Sequence, residues 1–447
     1  MNSGGRDALE RARAAASLGR RLLGRSARRS RAGGQLPPQT EEGFRAPDSP
    51  GLVEVPRSEA VAGGPAARLT VLMPHLQLTR MTGGPNTIIN LTGRLVDHDL
   101  AVRYVATFGP MDRDPGPLRA HISALTGSEK AGRQAELISA DGPIPIASGD
   151  VLMATWWPTA YVAREAMKWN RAREFIYLIQ DFEPGFYAWS TNYALASATY
   201  DFPCRAVFNE RLLRAHFAAG DIGRFGPNAS GDRAVAFDPS VDRRLFRRPA
   251  SDHIPSRARG RRLVFYARPR TERNCYALGL RALRTAVQEG AFDGEDWEFV
   301  AIGADLPELA LSDRHTLRPS GWLGYADYAQ LLSQSDLLLS LMLSPHTSYP
   351  PLEMAAAGNL VVTNVLGAKT ADALQAISPR IVGVNPTVED LVAAMRHAAA
   401  TIRAGRVPTG DIALPETWTD ALADAVPWLA RTVRVLAAGS PADPHEL

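Results

Sequence analysis

Between Ser344 and Gly358 the chain reads Ser-Pro-His-Thr-Ser-Tyr-Pro-Pro-Leu-Glu-Met-Ala-Ala-Ala-Gly, flanked by the apolar runs Asp336–Met342 and Leu360–Asn364. That order predicts a buried strand, a small polar loop, a short helix ended by glycine and a second buried strand. Pro350 and Pro351 suit a first helical turn, where a missing N–H costs nothing. Thr347 and Ser348 stand just ahead of it, where hydroxyls and free backbone N–H groups collect an anion. Glu353 lies one turn further on. A carboxylate beside an anion site repels phosphate, so it suits neutral sugar hydroxyls better. The alternative for Glu353 is a partner of the helix dipole alone.

Other loops offer complementary chemistry. The run Arg262–Ala267 ends in Arg268-Pro-Arg-Thr-Glu-Arg273. Two cations at a strand end could stabilise charge gathering on a departing diphosphate; a solvated basic turn is the other reading. Gly83-Gly84 precedes an expected helix from Thr87, where backbone can approach a ligand closely. Gln180-Asp-Phe-Glu-Pro-Gly-Phe-Tyr187 follows another strand. There Asp181 could orient or deprotonate an acceptor hydroxyl, with a strand-end turn before Pro-Gly as the alternative, and for Glu183 taken alone that turn is the favoured reading. Trp156-Trp157, with Phe182 and Glu183, could hold a glycan if exposed; packed inward, the tryptophans are core.

These loops need a scaffold that gathers strand ends. Short apolar runs start at Leu69, Val102, Asp150, Phe175, Arg205 and Ala234, then at Arg262, Glu298, Asp336, Leu360 and Arg380. Their alternation with helix-length segments predicts parallel sheets covered on both faces, in two Rossmann-like domains. In such sheets ligands sit beyond the carboxyl ends of the strands. The expected organisation is a tail and flexible linker (1–66), a first domain (67–250), a second domain (260–415) and a terminal segment (416–447). A polar, basic hinge spans 249–261, and the segment from Trp418 to Leu436 reads as one helix crossing back to the first domain.

The overall charge of +3 conceals an asymmetry: residues 1–31 carry nine arginines against Asp7 and Glu10, a local +7 that leaves the rest at −4. The body is not expected to bind nucleic acid. Residues 5–31 fit either a basic amphipathic helix lying on an anionic membrane or an extension without a partner. No run is long and apolar enough to span a bilayer, and no signal-peptide core is evident. Cys204 and Cys275 make no metal spacing. The expectation is a cytoplasmic protein, with peripheral contact at the inner face of the plasma membrane if the helix reading holds.

The arginines at 268 and 273, the Gly-Gly loop and the Leu-Glu-Met-Ala-Ala-Ala-Gly segment together resemble GT-B glycosyltransferases of the retaining GT4-like group. From Gln180-Asp-Phe-Glu-Pro to that segment, the pattern resembles rhamnosyltransferases of the WsaF type, over roughly residues 68–430. The resemblance implies a nucleotide-sugar donor, best matched by dTDP-β-L-rhamnose, and a glycan or lipid-linked glycan acceptor. It implies donor binding by Gly83, Gly84, Arg268, Arg273, Thr347, Ser348, Tyr349 and Glu353, catalysis by Asp181, Arg268 and Arg273, and no metal or cofactor. Gly303 and Gly321-Trp-Leu fit the family's base-binding region, and Asn209-Glu210 its cleft lining. The family's acidic motif has two glutamates separated by seven residues; Glu353 matches the second, but Pro345 stands at the first. A nucleotide-sugar 2-epimerase and a non-catalytic glycan-binding protein on the same fold are the competing readings.

Overall fold

A computed structural model describes residues 54–229, 231–246 and 260–439. The basic segment 5–31, the linker up to residue 53 and most of the 249–261 hinge lie outside the described residues. The first half contains strands β1 (Ser58–Val61), β2 (Arg68–Met73), β3 (Ala101–Ala106), β4 (Glu136–Ser139), β5 (Ile144–Ala147), β6 (Asp150–Ala154), β7 (Phe175–Ile179), β8 (Cys204–Asn209) and β9 (Ala234–Phe237). Seven form one parallel sheet in the order β4-β3-β2-β6-β7-β8-β9. Every residue of β2, β6 and β7 is buried, as a sheet covered on both faces requires.

One buried carboxylate ties the lower ends of the central strands together. Asp150 accepts hydrogen bonds from Arg68 Nε at 2.6 Å, Arg103 Nη2 at 2.9 Å and Ala147 N at 2.8 Å. The linker expectation is corrected at its end. Ser58–Val61 is a strand paired in parallel with β5 as a separate two-stranded sheet.

The second half repeats the plan with β10 (Arg261–Tyr266), β11 (Trp297–Ile302), β12 (Leu309–Ala310), β13 (Thr316–Pro319), β14 (Leu337–Leu339), β15 (Leu360–Asn364) and β16 (Ile381–Val384). The order is β12-β13-β11-β10-β14-β15-β16, parallel except for the antiparallel edge strand β12. In both sheets the strand order reverses beside the first long parallel strand: between β2 and β6, and between β10 and β14. Such switch points open a crevice at the carboxyl ends of the strands. The loops beyond those strands carry the residues of interest.

The terminal segment is two helices rather than one, Trp418–Ala421 and Ala425–Ala438, separated by a break at residues 422–424. Leu429, Val433 and Leu436 are buried in one cluster with Leu69, Val71, Val151 and Ile176 of the first sheet. The chain therefore crosses back and completes the core of the first domain.

Candidate active site

The helix predicted around Glu353 runs from Tyr349 to Ala356, with prolines in its first turn. Gly358 follows at φ 84°, a left-handed conformation that glycine takes without strain. Ser348 caps the start with φ 71° and ψ 149°, a backbone geometry costly for a side-chain-bearing residue. The preceding loop folds on itself: Ser344 Oγ accepts from His346 N at 3.0 Å, and His346 Nδ1 accepts from Ser348 N at 2.9 Å.

This loop meets the first domain directly. Glu210 follows β8 and accepts from Thr347 N at 2.9 and 3.2 Å, and from the Thr347 hydroxyl. His346 Nε2 lies 3.6 Å from the same carboxylate. Burial raises the Glu210 pKa against the opposing pull of His346 and Thr347. Asp181, at the end of β7, accepts from the Ser344 hydroxyl and from Phe182 N at 2.8 Å. Tyr349 OH is 3.1 Å from the hydroxyl of Thr87, in the helix Gly83–Gly93.

Arg273 stands where three loops converge. Its Nε is 3.7 Å from Asp181, and its guanidinium lies 4.2 Å from the centre of the Phe186 ring. Leu343 N donates to its carbonyl at 2.7 Å, binding the loop after β10 to the loop after β14. Arg268 is exposed at the end of β10, with one nitrogen 3.3 Å from Tyr266 OH. The two predicted cations thus differ, Arg273 half-buried beside Asp181 and Phe186 and Arg268 exposed beside Tyr266.

Glu353 is buried and receives Tyr328 OH at 2.7 Å and Tyr325 OH at 3.3 Å. Burial pushes its pKa up to about 7, although both phenols favour the ionised form. Behind the loop, Lys369 is 0% exposed and donates to Met342 O at 2.9 Å. Burial lowers its pKa to about 8, while Glu210 and Asp181 hold it up. No motif in the sequence pointed to Lys369, Tyr325 or Tyr328, because their roles arise only from tertiary placement.

The expected acceptor surface is corrected in part. Trp157 is 1% exposed, and its indole N–H donates to Tyr187 OH at 2.9 Å. It is core, because the helix Trp157–Ala166 turns its first residue inward. Phe182 packs against Tyr200, His216 and Phe217. Glu183 is buried and accepts from Tyr177 OH at 3.1 Å, and burial raises its pKa to about 8. Both brace the β7 loop from within. Trp156 and Phe182 of that group are partly open, Trp156 lying edge-on to Phe108. Gly83 and Gly84 are the first residues of their helix rather than a loop before it, beside Tyr349 and Gln180.

The family model of the WsaF N-terminal domain matches residues 68–211, and that of the WsaF C-terminal domain matches residues 261–396. O-antigen biosynthesis protein RfbC of Myxococcus xanthus is 32% identical over 254 residues, covering 56% of this chain and 18% of RfbC. The match therefore takes in less than a fifth of that relative. HepE of Anabaena in complex with UDP-glucose is similar in fold, with a TM-score of 0.52 at 14% identity, covering 83% of this chain and 98% of HepE. Its complex with UDP and glucose gives 0.52 at 13% identity over the same shares. The fold is GT-B, two Rossmann-like domains facing across a cleft.

Proposed function

The chain belongs to the WsaF family, and on that premise we propose that it transfers a glycosyl unit from a nucleotide sugar to a glycan hydroxyl in the synthesis of a cell-surface polysaccharide. The observation that carries this reading is the loop after β14. Its Thr347 N–H and hydroxyl already hold a carboxylate at a helix start, and Glu353 presents a second, buried carboxylate six residues on. Anion donors followed by a hydroxyl acceptor match a diphosphate joined to a ribose. The similarity to a protein of O-antigen biosynthesis supports a polysaccharide product.

In this proposal Arg273 and Arg268 neutralise the diphosphate as its bond to the anomeric carbon breaks, and Glu353 accepts hydrogen bonds from the ribose. Asp181, once released from Ser344, orients the acceptor hydroxyl. The acceptor oxygen attaches on the face that the phosphate leaves, and its proton passes to a phosphate oxygen, so configuration is retained. The donor we assign is dTDP-β-L-rhamnose. The positive charge comes from the arginines and the helix start, and no metal is assigned a part.

A thermal-shift panel of dTDP, UDP, GDP and their sugars tests the donor, because a ligand that binds the native state raises the melting temperature. Stabilisation by dTDP-rhamnose that disappears in Arg273→Ala and Glu353→Ala is expected. Selective stabilisation by a UDP-hexose would sink the rhamnose assignment. Proton NMR of the product then reports the anomeric configuration, and a released free sugar would indicate epimerase chemistry instead.

A further inference from the structure

We infer that Glu210 and the donor diphosphate are alternative occupants of one anion subsite, formed by the N–H and hydroxyl of Thr347 in front of the helix Tyr349–Ala356, so that donor entry requires Glu210 to leave. This rests on the donor-site reading above and specifies how that site is held without ligand.

Thr347 N and its hydroxyl both point at the Glu210 carboxylate, and His346 faces the same oxygens from 3.6 Å. Because His346 Nδ1 accepts from Ser348 N, the hydrogen of a neutral ring sits on Nε2, directed at Glu210. A carboxylate oxygen and a phosphoryl oxygen ask for the same donors. Two anions cannot share them, since like charges in a buried site repel strongly.

The backbone supplies an independent observation. Among the described residues, five non-glycines have positive φ, and two of them are Glu210 at 116° and Ser348 at 71°, on opposite sides of this contact. Glu210 combines φ 116° with ψ 141°, which L residues rarely adopt and which persists only where surrounding contacts hold it. The helix after Glu210 gains no side-chain cap from it. The strained carboxylate serves the other domain instead. Glu210 reaches across from the first domain, so releasing it also loosens the join between β8 and the β14 loop.

Calorimetric titration of dTDP and UDP into the full chain, Glu210→Gly and Glu210→Gln tests the competition. Glycine adopts φ 116° without strain, so Glu210→Gly is expected to melt cooperatively and guards against a folding defect. Both variants are expected to bind the preferred diphosphate at least about fivefold more tightly, because less of the protein is held in a binding-incompetent state. Thymidine and uridine, which lack phosphate, should show no such gain. Unchanged diphosphate affinity in a well-folded Glu210→Gly would overturn the competition. Weakened affinity would overturn it too, and would make Glu210 a donor ligand. In either case the donor-site reading survives if wild-type binding is abolished by Arg273→Ala. Absence of diphosphate binding in all three proteins would sink both.

Discussion

Glu353 stands in a buried place with two phenols aimed at it, and its pKa near 7 sets a pH dependence. The ionised form accepts hydroxyl hydrogen bonds best. Diphosphate affinity should therefore rise as pH climbs from about 6 to 8, and the rise should vanish in Glu353→Gln. Titrations at three pH values would check this; an equal rise in both proteins would refute it. Glu183 differs in consequence. Its folded pKa of about 8 lies above the ordinary carboxylate range, so the native state holds a proton that the unfolded chain has released between roughly pH 4.5 and 8. Stability from this group is present at low pH and lost as pH rises through that window. Glu183→Gln keeps the shape and removes the charge, so its melting temperature should gain on the wild type between pH 5 and 8.5. A constant difference between the two melting curves would contradict that. At this scale the positions of Arg273, Thr347 and Glu353 on a strand-end loop and a proline-led helix were legible in the sequence. It hid Glu210's grip on Thr347, since the partners lie 137 residues apart. It also left open which way Trp156 and Trp157 face.

Strands built on apolar runs, such as Phe175–Ile179 and Leu337–Leu339, were legible because both faces of a parallel sheet are buried. Glu136–Ser139 and Ile144–Ala147 were not, being four residues long, one half-exposed and the other containing Pro145. Ser58–Val61 was hidden further by its polar composition and open surface. What aligns β2, β3 and β6 is a feature no single run contains, the carboxylate of Asp150 between Arg68 and Arg103. Arg103 is buried, and without Asp150 its nearest anion is Glu136 at 3.9 Å. Asp150→Ala should cost about 3–5 kcal/mol, the usual consequence of stripping one partner from a buried ion network. Urea unfolding would measure it, and a loss under about 1 kcal/mol would show that water reaches the arginines. The loop from β2 to Gly83 and Gly84 starts on a strand anchored in this way, so a fall in diphosphate affinity should accompany the loss of stability.

The two domains are not two consecutive lengths of chain. Ala425, Leu429, Val433 and Leu436 fill the first domain's core although the entire second domain separates them from it in sequence. Arg434 adds a hydrogen bond to the carbonyl of His98. Burying a leucine or valine side chain contributes roughly 1.5–3 kcal/mol each, so this one helix supplies a share comparable to the net stability of a domain. The polypeptide thus returns to the first domain at its end, and Glu210–Thr347 and Asp181–Ser344 join the two domains a second time through loops at strand ends. The dependence on the returning helix is directly testable. A chain ending at residue 246 should fail to give a cooperative melt by circular dichroism, and adding a peptide of residues 417–439 should restore one. Cooperative folding of the shorter chain alone would mean that the helix merely rests on a core already complete without it.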